Sequence, residues 1–373
     1  MKKRTKQIVA VVLGTAMAAS MVGCGSKAEE APAAASTAAA SEAVAETAAT
    51  SAAPAAGDVD YTQGDKMEIK IGTVLTEASI SGQALQMFAD ELKEKSGGRV
   101  TATVYYNGVL ADSDASFEML QTGDIQMLTL NPVAYETQVT QLATLDEYYM
   151  FDDLAHAHRF LEGEGGQYLN DAWQSVNMQG LCVYGLGFRE LSNNKKEVKT
   201  MEDMKGLTLR GYSTIQIDAW NAAGASPTSV DWNELFVSMQ QGLLDGQESA
   251  LSTINDFSFY EVQKYVTLTD HVFTMDWVVG SKVWLDGLNE TDRALVDECI
   301  KDSYEWQKDA YQKDLQNLAD KFTNEYGLTI TEMDPAEKEK LKEAMQPVTV
   351  ESIKAAAGED VYNTVHEYVE AAR

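Results

Sequence analysis

Positive charge is what this chain has too little of. Its 373 residues carry 29 Lys and Arg against 58 Asp and Glu, a formal net charge of −29. Nucleic-acid binding relies on cations that neutralise phosphates, so the balance argues against such a partner. An acidic surface keeps a protein soluble. An anionic ligand would need positive charge concentrated in one place against that background. Cysteine is scarce as well, with 3 residues, Cys24, Cys182 and Cys299, and no CxxC pair. Cys182 and Cys299 lie in apolar contexts and read as buried free thiols, not as a disulfide or a metal site. Catalytic signatures are missing: no GxSxG, HExxH, Walker A or EF-hand loop occurs. Asp112-x-Asp114 lacks the glycine and the later Glu of a calcium loop. His156 and His158, two positions apart, fall on different faces of what reads as a solvated helix, which is poor metal geometry. The chain therefore reads as a non-enzyme with no metal and no cofactor.

Long apolar runs are also absent beyond the N-terminus. A basic start, Met1 to Lys6, precedes an apolar stretch from Ile8 to Met21 that is too short for an ordinary spanning helix. It ends in SMVGCGS at 20–26, with Met21 where leucine is commonest. Small residues before a single Cys resemble a bacterial lipobox. That resemblance implies a lipoprotein signal peptide over 1–24, cleavage before Cys24, and a lipid on its sulfur. Residues 25–66 are dominated by Ala, Ser, Thr, Glu and Pro. They lack the apolar bulk to offset ordering entropy and read as a disordered tether.

From Met67 the pattern changes to strand and helix in alternation. EIKIGTV at 68–74 reads as a strand. Leu85, Phe88, Ala89 and Leu92 recur at helical spacing before a stop at Gly97-Gly98. Strands follow at 100–106 and 125–130, with a helix at 113–122 between them. A second round gives a helix over 156–173 kinked at Gly163 to Gly166, then a strand over 180–187. A short helix capped by Thr200 with Asp203, a strand at 207–210, and helices over 215–223 and 233–241 come next. Alternation of this kind predicts an α/β fold with a parallel, helix-covered sheet. Asn289 can cap a helix whose apolar positions run from Leu295 to Phe322, about 50 Å at 1.5 Å per residue. That is too long for one ordinary domain and suits a helix lying across two lobes.

Ligands of open α/β sheets bind beyond the carboxyl ends of strands. The residues that follow the predicted strands include Glu77, Tyr106 (with Tyr105 straddling the same end), Asn131, Arg189 and Arg210. Gln247 to Ser249 follow Leu243-Leu244, read as a buried strand. Two arginines at strand ends are the informative pair. A guanidinium fork matches a carboxylate bidentately, although either Arg could instead pair with one of the many acids.

The run GFRELSNN at 187–194 continues through MKGLTLR, GASPT and GLLDGQES to position 249, and EVQKYVTLTDHVF follows at 261–273. With FADELKEKSGGRV, LQTGDI and FDDLAHAHRFLEG upstream, these ordered pieces resemble the DctP-type solute-binding proteins of TRAP transporters. The resemblance covers most of 67–325. It implies a two-lobed, periplasmic-binding-protein-like (type II) fold with a long helix spanning both lobes. The implied boundaries are 67–186 with 275–314 for lobe I, and 187–274 with 315–373 for lobe II. It further implies that Arg210 holds the ligand carboxylate, that Arg189 is a second polar contact, and that Trp232 packs on the ligand. The family pattern has Val-Pro after its arginine where this chain has Gly211-Tyr212. It has Asn-Pro after DGQE where this chain has Ser249-Ala250.

The resulting expectation is an extracytoplasmic, lipid-anchored binding protein on the outer face of the cell membrane. It would be a monomer that captures a dicarboxylate or sugar acid and delivers it to the small and large membrane subunits of a TRAP permease. The candidate contacts are Arg210, Arg189, Trp232, Ser249, Asn131, Glu77, Asp114 and Tyr106, with Tyr212 able to compensate for the serine. Binding proteins of ATP-driven importers, ligand-sensing partners of a sensor kinase and, more weakly, a surface hydrolase are the alternatives.

Overall fold

A computed structural model describes residues 59–110 and 113–373. The signal segment, Cys24, most of the tether and Asp112 lie outside the described residues. The elements in chain order are β1 (Met67–Gly72), α1 (Ile80–Lys95), β2 (Val100–Tyr105), α2 (Ser113–Thr122), β3 (Met127–Leu130), α3 (Leu154–Glu162), α4 (Glu164–Ala172) and β4 (Met178–Asn193). There follow β5 (Thr208–Gly211), α5 (Thr214–Ala222), β6 (Ser226–Ser229), α6 (Trp232–Gln240), β7 (Gly246–Ala250), α7 (Leu251–Asp256), β8 (Tyr265–Leu268) and β9 (Phe273–Ser281). The chain ends with a short α8 (Lys282–Leu285), α9 (Glu290–Asn324), β10 (Thr329–Glu332), α10 (Pro335–Ala357) and α11 (Glu359–Ala371).

Local chemistry accounts for the element ends. The Ser79 hydroxyl accepts from the Gly82 N–H at 3.0 Å and caps α1, whose apolar stripe of Leu85, Phe88, Ala89 and Leu92 is buried. The Asn289 side chain accepts from the Asp292 N–H at 2.9 Å and starts α9. Thr200 and Asp203 form a capping box, but on a single 3-10 turn, Met201–Met204, instead of an α-helix. The expected kink near Gly163 is a complete break between α3 and α4.

The strands run in the order β2-β1-β3-β9-β4-β7-β5-β6, with β8 joined to β4 and β10 to β8. The α/β class matches the expectation, but the sheet is mixed and not parallel. β1 pairs in parallel with β2 and β3, and β5 with β6 and β7. β9 returns antiparallel between β3 and β4, and β4 is antiparallel to β7 and β8. The odd element is β4. Met178 to Phe188 pair with β9, whereas Arg189 to Asn193 pair with β7. The expected strand end at Gly187 is instead a register shift inside one long strand. Gly187 has φ +105°, and a Cβ there would lie 1.8 Å from the Tyr311 hydroxyl oxygen, so glycine lets α9 cross β4 at this point.

α9 has 35 residues, about 50 Å of helix. Near its start Leu295, Val296, Cys299 and Ile300 pack with Ile69, Ile71, Phe88 and Leu92. Near its end Leu318 and Phe322 pack with Leu235, Met239, Ile254 and Val266. Burying each such side chain stabilises by about 1.5–3 kcal/mol, so one helix is fixed in two separate cores. Among the described residues no helix is long and apolar enough to cross a membrane.

Two local readings change. Leu243 and Leu244 are not a buried pair: Leu243 is 67 % exposed and only Leu244 is buried. The strand is the polar run Gly246–Ala250 itself, entirely buried. His156 is buried as well, not solvated, with its ring bonded to the Asp152 N–H and the Val369 carbonyl.

Candidate functional site

A cavity of about 190 Å³ lies where the elements around β4 converge. On this measure one water needs roughly 10–15 Å³, so the space suits a small organic molecule and not a polymer. One wall comes from the segments after β1 and β2, from β3, and from Asn131 at its end; the other comes from Arg210 of β5, from Tyr212 just after it and from Trp232 of α6. Arg189 of β4 and Thr274 and Asp276 of β9 close the base, and Asp256 and Phe257 at the end of α7 close one side.

Arg189 sits where β4 changes partner, beside Ala250 of β7. It is 6 % exposed and almost fully paired. Its Nε and Nη2 donate to the two Glu248 carboxylate oxygens, the latter at 2.7 Å, and Nη2 also donates to the Glu248 carbonyl at 2.6 Å. Gln216 Nε2 donates to the same carboxylate, and His271 Nε2 lies 2.9 Å from it. Burial works to raise the Glu248 carboxyl, but Arg189 and His271 outweigh it and hold it below the usual range. Burial likewise pushes the His271 imidazole down, so the neutral ring donates to Glu248 through Nε2 and accepts from the Thr269 hydroxyl at 2.9 Å. One guanidinium nitrogen of Arg189, Nη1, faces Thr274 Oγ1 at 3.3 Å.

Arg210 is built differently. It is 8 % exposed, and Nε donates to the Val230 carbonyl at 3.0 Å. Among the described residues it makes no ion pair with a carboxylate. Its Cζ lies 5.3 Å from the Tyr212 ring centroid and 5.4 Å from that of Trp232. Burial, and then the charge of Arg189, push its pKa down to about 10. It remains protonated at neutral pH, a desolvated cation flanked by aromatic faces. Tyr212 serves both arginines, since its centroid is also 5.1 Å from Arg189 Cζ. The Tyr212 hydroxyl donates to Asp146 Oδ1 at 3.2 Å, and Ser213 donates to Oδ2 at 2.7 Å, which fixes the ring.

Four of the expected residues, Arg210, Arg189, Trp232 and Asn131, line this one cavity. Asn131 Nδ2 donates to Thr274 Oγ1 at 3.2 Å while its carbonyl oxygen caps the following turn. The other four do not line it. Ser249 is fully buried in β7 and donates to Gln247 Oε1 at 2.5 Å. Its hydroxyl is taken by Gln247, two residues back on the same face of β7, and it does not line the cavity. Glu77 is exposed in an outer groove with Asp90, Glu91 and Trp306. Asp114 is exposed in the first turn of α2. Tyr106 turns towards α1, donating to the Gly82 carbonyl at 3.1 Å.

Sequence reading passed over Asp256, Thr274 and Asp276, and it placed Glu248 at a strand end without seeing its pairing with Arg189. Asp276 had a usable signal. It is the lone acid in FTMDWVVGS, a run with strand composition, and a charge inside a buried strand calls for a reason. Among the described residues no cluster of His, Cys, Asp and Glu could hold a metal ion.

The profile of the bacterial extracellular solute-binding proteins, family 7 (DctP), matches residues 71–355. The C4-dicarboxylate-binding protein DctB of Bacillus subtilis is 27 % identical over 285 residues, 76 % of this chain and 81 % of DctB. The solved sugar acid binding protein DctPAm of Advenella mimigardefordensis, in complex with galactonate, superposes with a TM-score of 0.78 at 27 % identity, covering 83 % of this chain and 99 % of that one. A TRAP periplasmic solute binding protein from Chromohalobacter salexigens with bound D-glucuronate gives 0.76 at 25 % identity, over 82 % and 100 % of the two chains.

Proposed function

Because the chain belongs to the DctP family of TRAP-type extracellular solute-binding proteins, which are binding proteins and not enzymes, we propose that it captures a small organic acid by a salt bridge from Arg210 to the ligand carboxylate. The observation that carries this is the buried guanidinium of Arg210, without an ion pair among the described residues, in a cavity of small-molecule size. An acidic chain offers many carboxylates, yet among the described residues none forms an ion pair with this cation. A buried charge without a partner is costly, and a ligand carboxylate removes that cost. A hydrogen bond to a charged group contributes about 1.5–3 kcal/mol. Arg189, already neutralised by Glu248, offers only Nη1 as a secondary donor.

Relatives that bind a C4-dicarboxylate, galactonate and D-glucuronate support the ligand class. In this reading lobe I (67–186 with 275–314) and lobe II (187–274 with 315–373) close over the acid. The loaded protein then passes it to the small and large membrane subunits of a TRAP permease. Cys24 carries the lipid that holds the protein on the outer face of the membrane. The test is a thermal-shift screen of the mature protein over dicarboxylates, uronates and aldonates. A ligand bound only by the folded state at 100 times its Kd stabilises by about 2.7 kcal/mol. At least one acid should raise the melting temperature of wild type and fail to do so in Arg210→Ala. An equal rise in both proteins contradicts the assignment.

A further inference from the structure

All nine residues of β9 are buried, and Thr274 and Asp276 are the ones that line the cavity. Asp276 is 6 % exposed. Among the described residues its carboxyl receives no hydrogen bond and makes no ion pair. Its neighbours along the strand, Met275, Trp277 and Val278, are core residues. Burial pushes its pKa up to about 7, against the pull of Arg189. A desolvated carboxyl without a donor is costly, and here it faces the same space as Arg210.

We propose that Asp276 is a specificity-determining residue whose carboxylate accepts a hydrogen bond from a ligand hydroxyl, so that the cavity selects hydroxylated monocarboxylates over dicarboxylates. This rests on the reading of the cavity as an organic-acid site anchored at Arg210. Once that arginine holds one carboxylate, the remainder of the ligand meets acids. Asp256 also lines the cavity, with one oxygen taken by Asn255 Nδ2 at 3.0 Å and its pKa pushed up to about 6 by burial. A second ligand carboxylate would put like charge against two desolvated carboxyl groups. A hydroxyl supplies the donor that Asp276 lacks. An ammonium is disfavoured there because the Arg189 guanidinium faces Thr274, two residues away on the same strand.

The experiment is calorimetry at pH 7.5 with galactonate, D-glucuronate and succinate as probes, on wild type, Asp276→Leu and Asp276→Asn, with Arg210→Ala in parallel. Wild type should bind one of the hydroxylated acids at least tenfold tighter than succinate. Asp276→Leu should lose tenfold or more for that acid and gain for succinate. If Asp276→Leu does not fold, as read from its melting curve, Asp276→Asn carries the test. It removes the charge at constant shape and should narrow the preference at least fivefold. An unchanged preference in the folded variant, or a wild type that prefers succinate, overturns the role of Asp276 and leaves the Arg210 reading standing. Undiminished binding by Arg210→Ala, or no binding of any probe by wild type, overturns the organic-acid reading and this inference with it.

Discussion

Two neighbouring regions of the cavity carry similar charged groups and treat them in opposite ways. Around β7, Arg189 and Glu248 are buried together, and each is met by partners: Gln216, His271, a backbone carbonyl and each other. Elsewhere in the lining, Arg210 and Asp276 are almost as buried, yet neither has an ionic partner among the described residues. Coulomb attraction offsets desolvation in the first region. In the second it does not, and the cost is held until something enters. In the proposed reading, the satisfied network sets the geometry of the site and the unsatisfied groups set what it will bind. Tyr212, with its ring beside both arginines, joins the two regions.

The comparison breaks first at Glu248. Replacing it by alanine leaves Arg189 buried and unpaired, which should cost about 3–5 kcal/mol of stability. A urea midpoint equal to that of wild type would mean that the network contributes little to the fold.

Asp276→Asn should act in the other direction. The folded carboxyl is pushed up to about 7 from an ordinary 3.8. Its stabilising contribution is fully present below pH 3.8 and is lost as pH rises through 7. At about 1.4 kcal/mol per pH unit the gap is worth at most about 4 kcal/mol. The variant without ligand should therefore melt several degrees above wild type at pH 8 and at nearly the same temperature near pH 4. The charged group acting on Asp276 is Arg189, which stays charged throughout this range. A melting gap that does not change with pH contradicts the idea of a held cost.

The smallest effect is expected at Tyr212. Its phenylalanine variant keeps the ring and removes one donor to Asp146, which retains Ser213. Stability should fall by about 1 kcal/mol, with affinity by calorimetry nearly unchanged. A large loss of affinity would show that the hydroxyl itself meets the ligand.

What could be read from sequence follows from how local each feature is. The caps at Thr200 and Asn289, the stripe of α1 and the extent of α9 depend on neighbours in the chain, and they were legible. Arg189 and Arg210 do line the cavity, but from within β4 and β5 and not from strand ends. Pairing was not legible. Gly187 reads as a strand stop, yet it serves as a bulge beneath Tyr311, a contact made by a helix more than a hundred residues later. Missing that bulge shortened β4 and hid the antiparallel return of β9, and with it the cavity position of Asp276. Ser249 lies off the cavity wall for a related reason: the pattern reads Leu243 as strand and the polar cluster as its end, whereas the strand is the cluster itself.

The central claim is that Arg210 is held for a ligand carboxylate. Calorimetric titration of wild type, Arg210→Lys and Arg210→Ala, with whichever acid the wild type binds most tightly, tests it most directly. A guanidinium that grips a carboxylate with a fork predicts a loss of at least a hundredfold for alanine, about 2.7 kcal/mol. It predicts only partial rescue by lysine, which keeps the charge and loses the bidentate geometry. Affinity in Arg210→Ala within a fewfold of wild type would contradict the account.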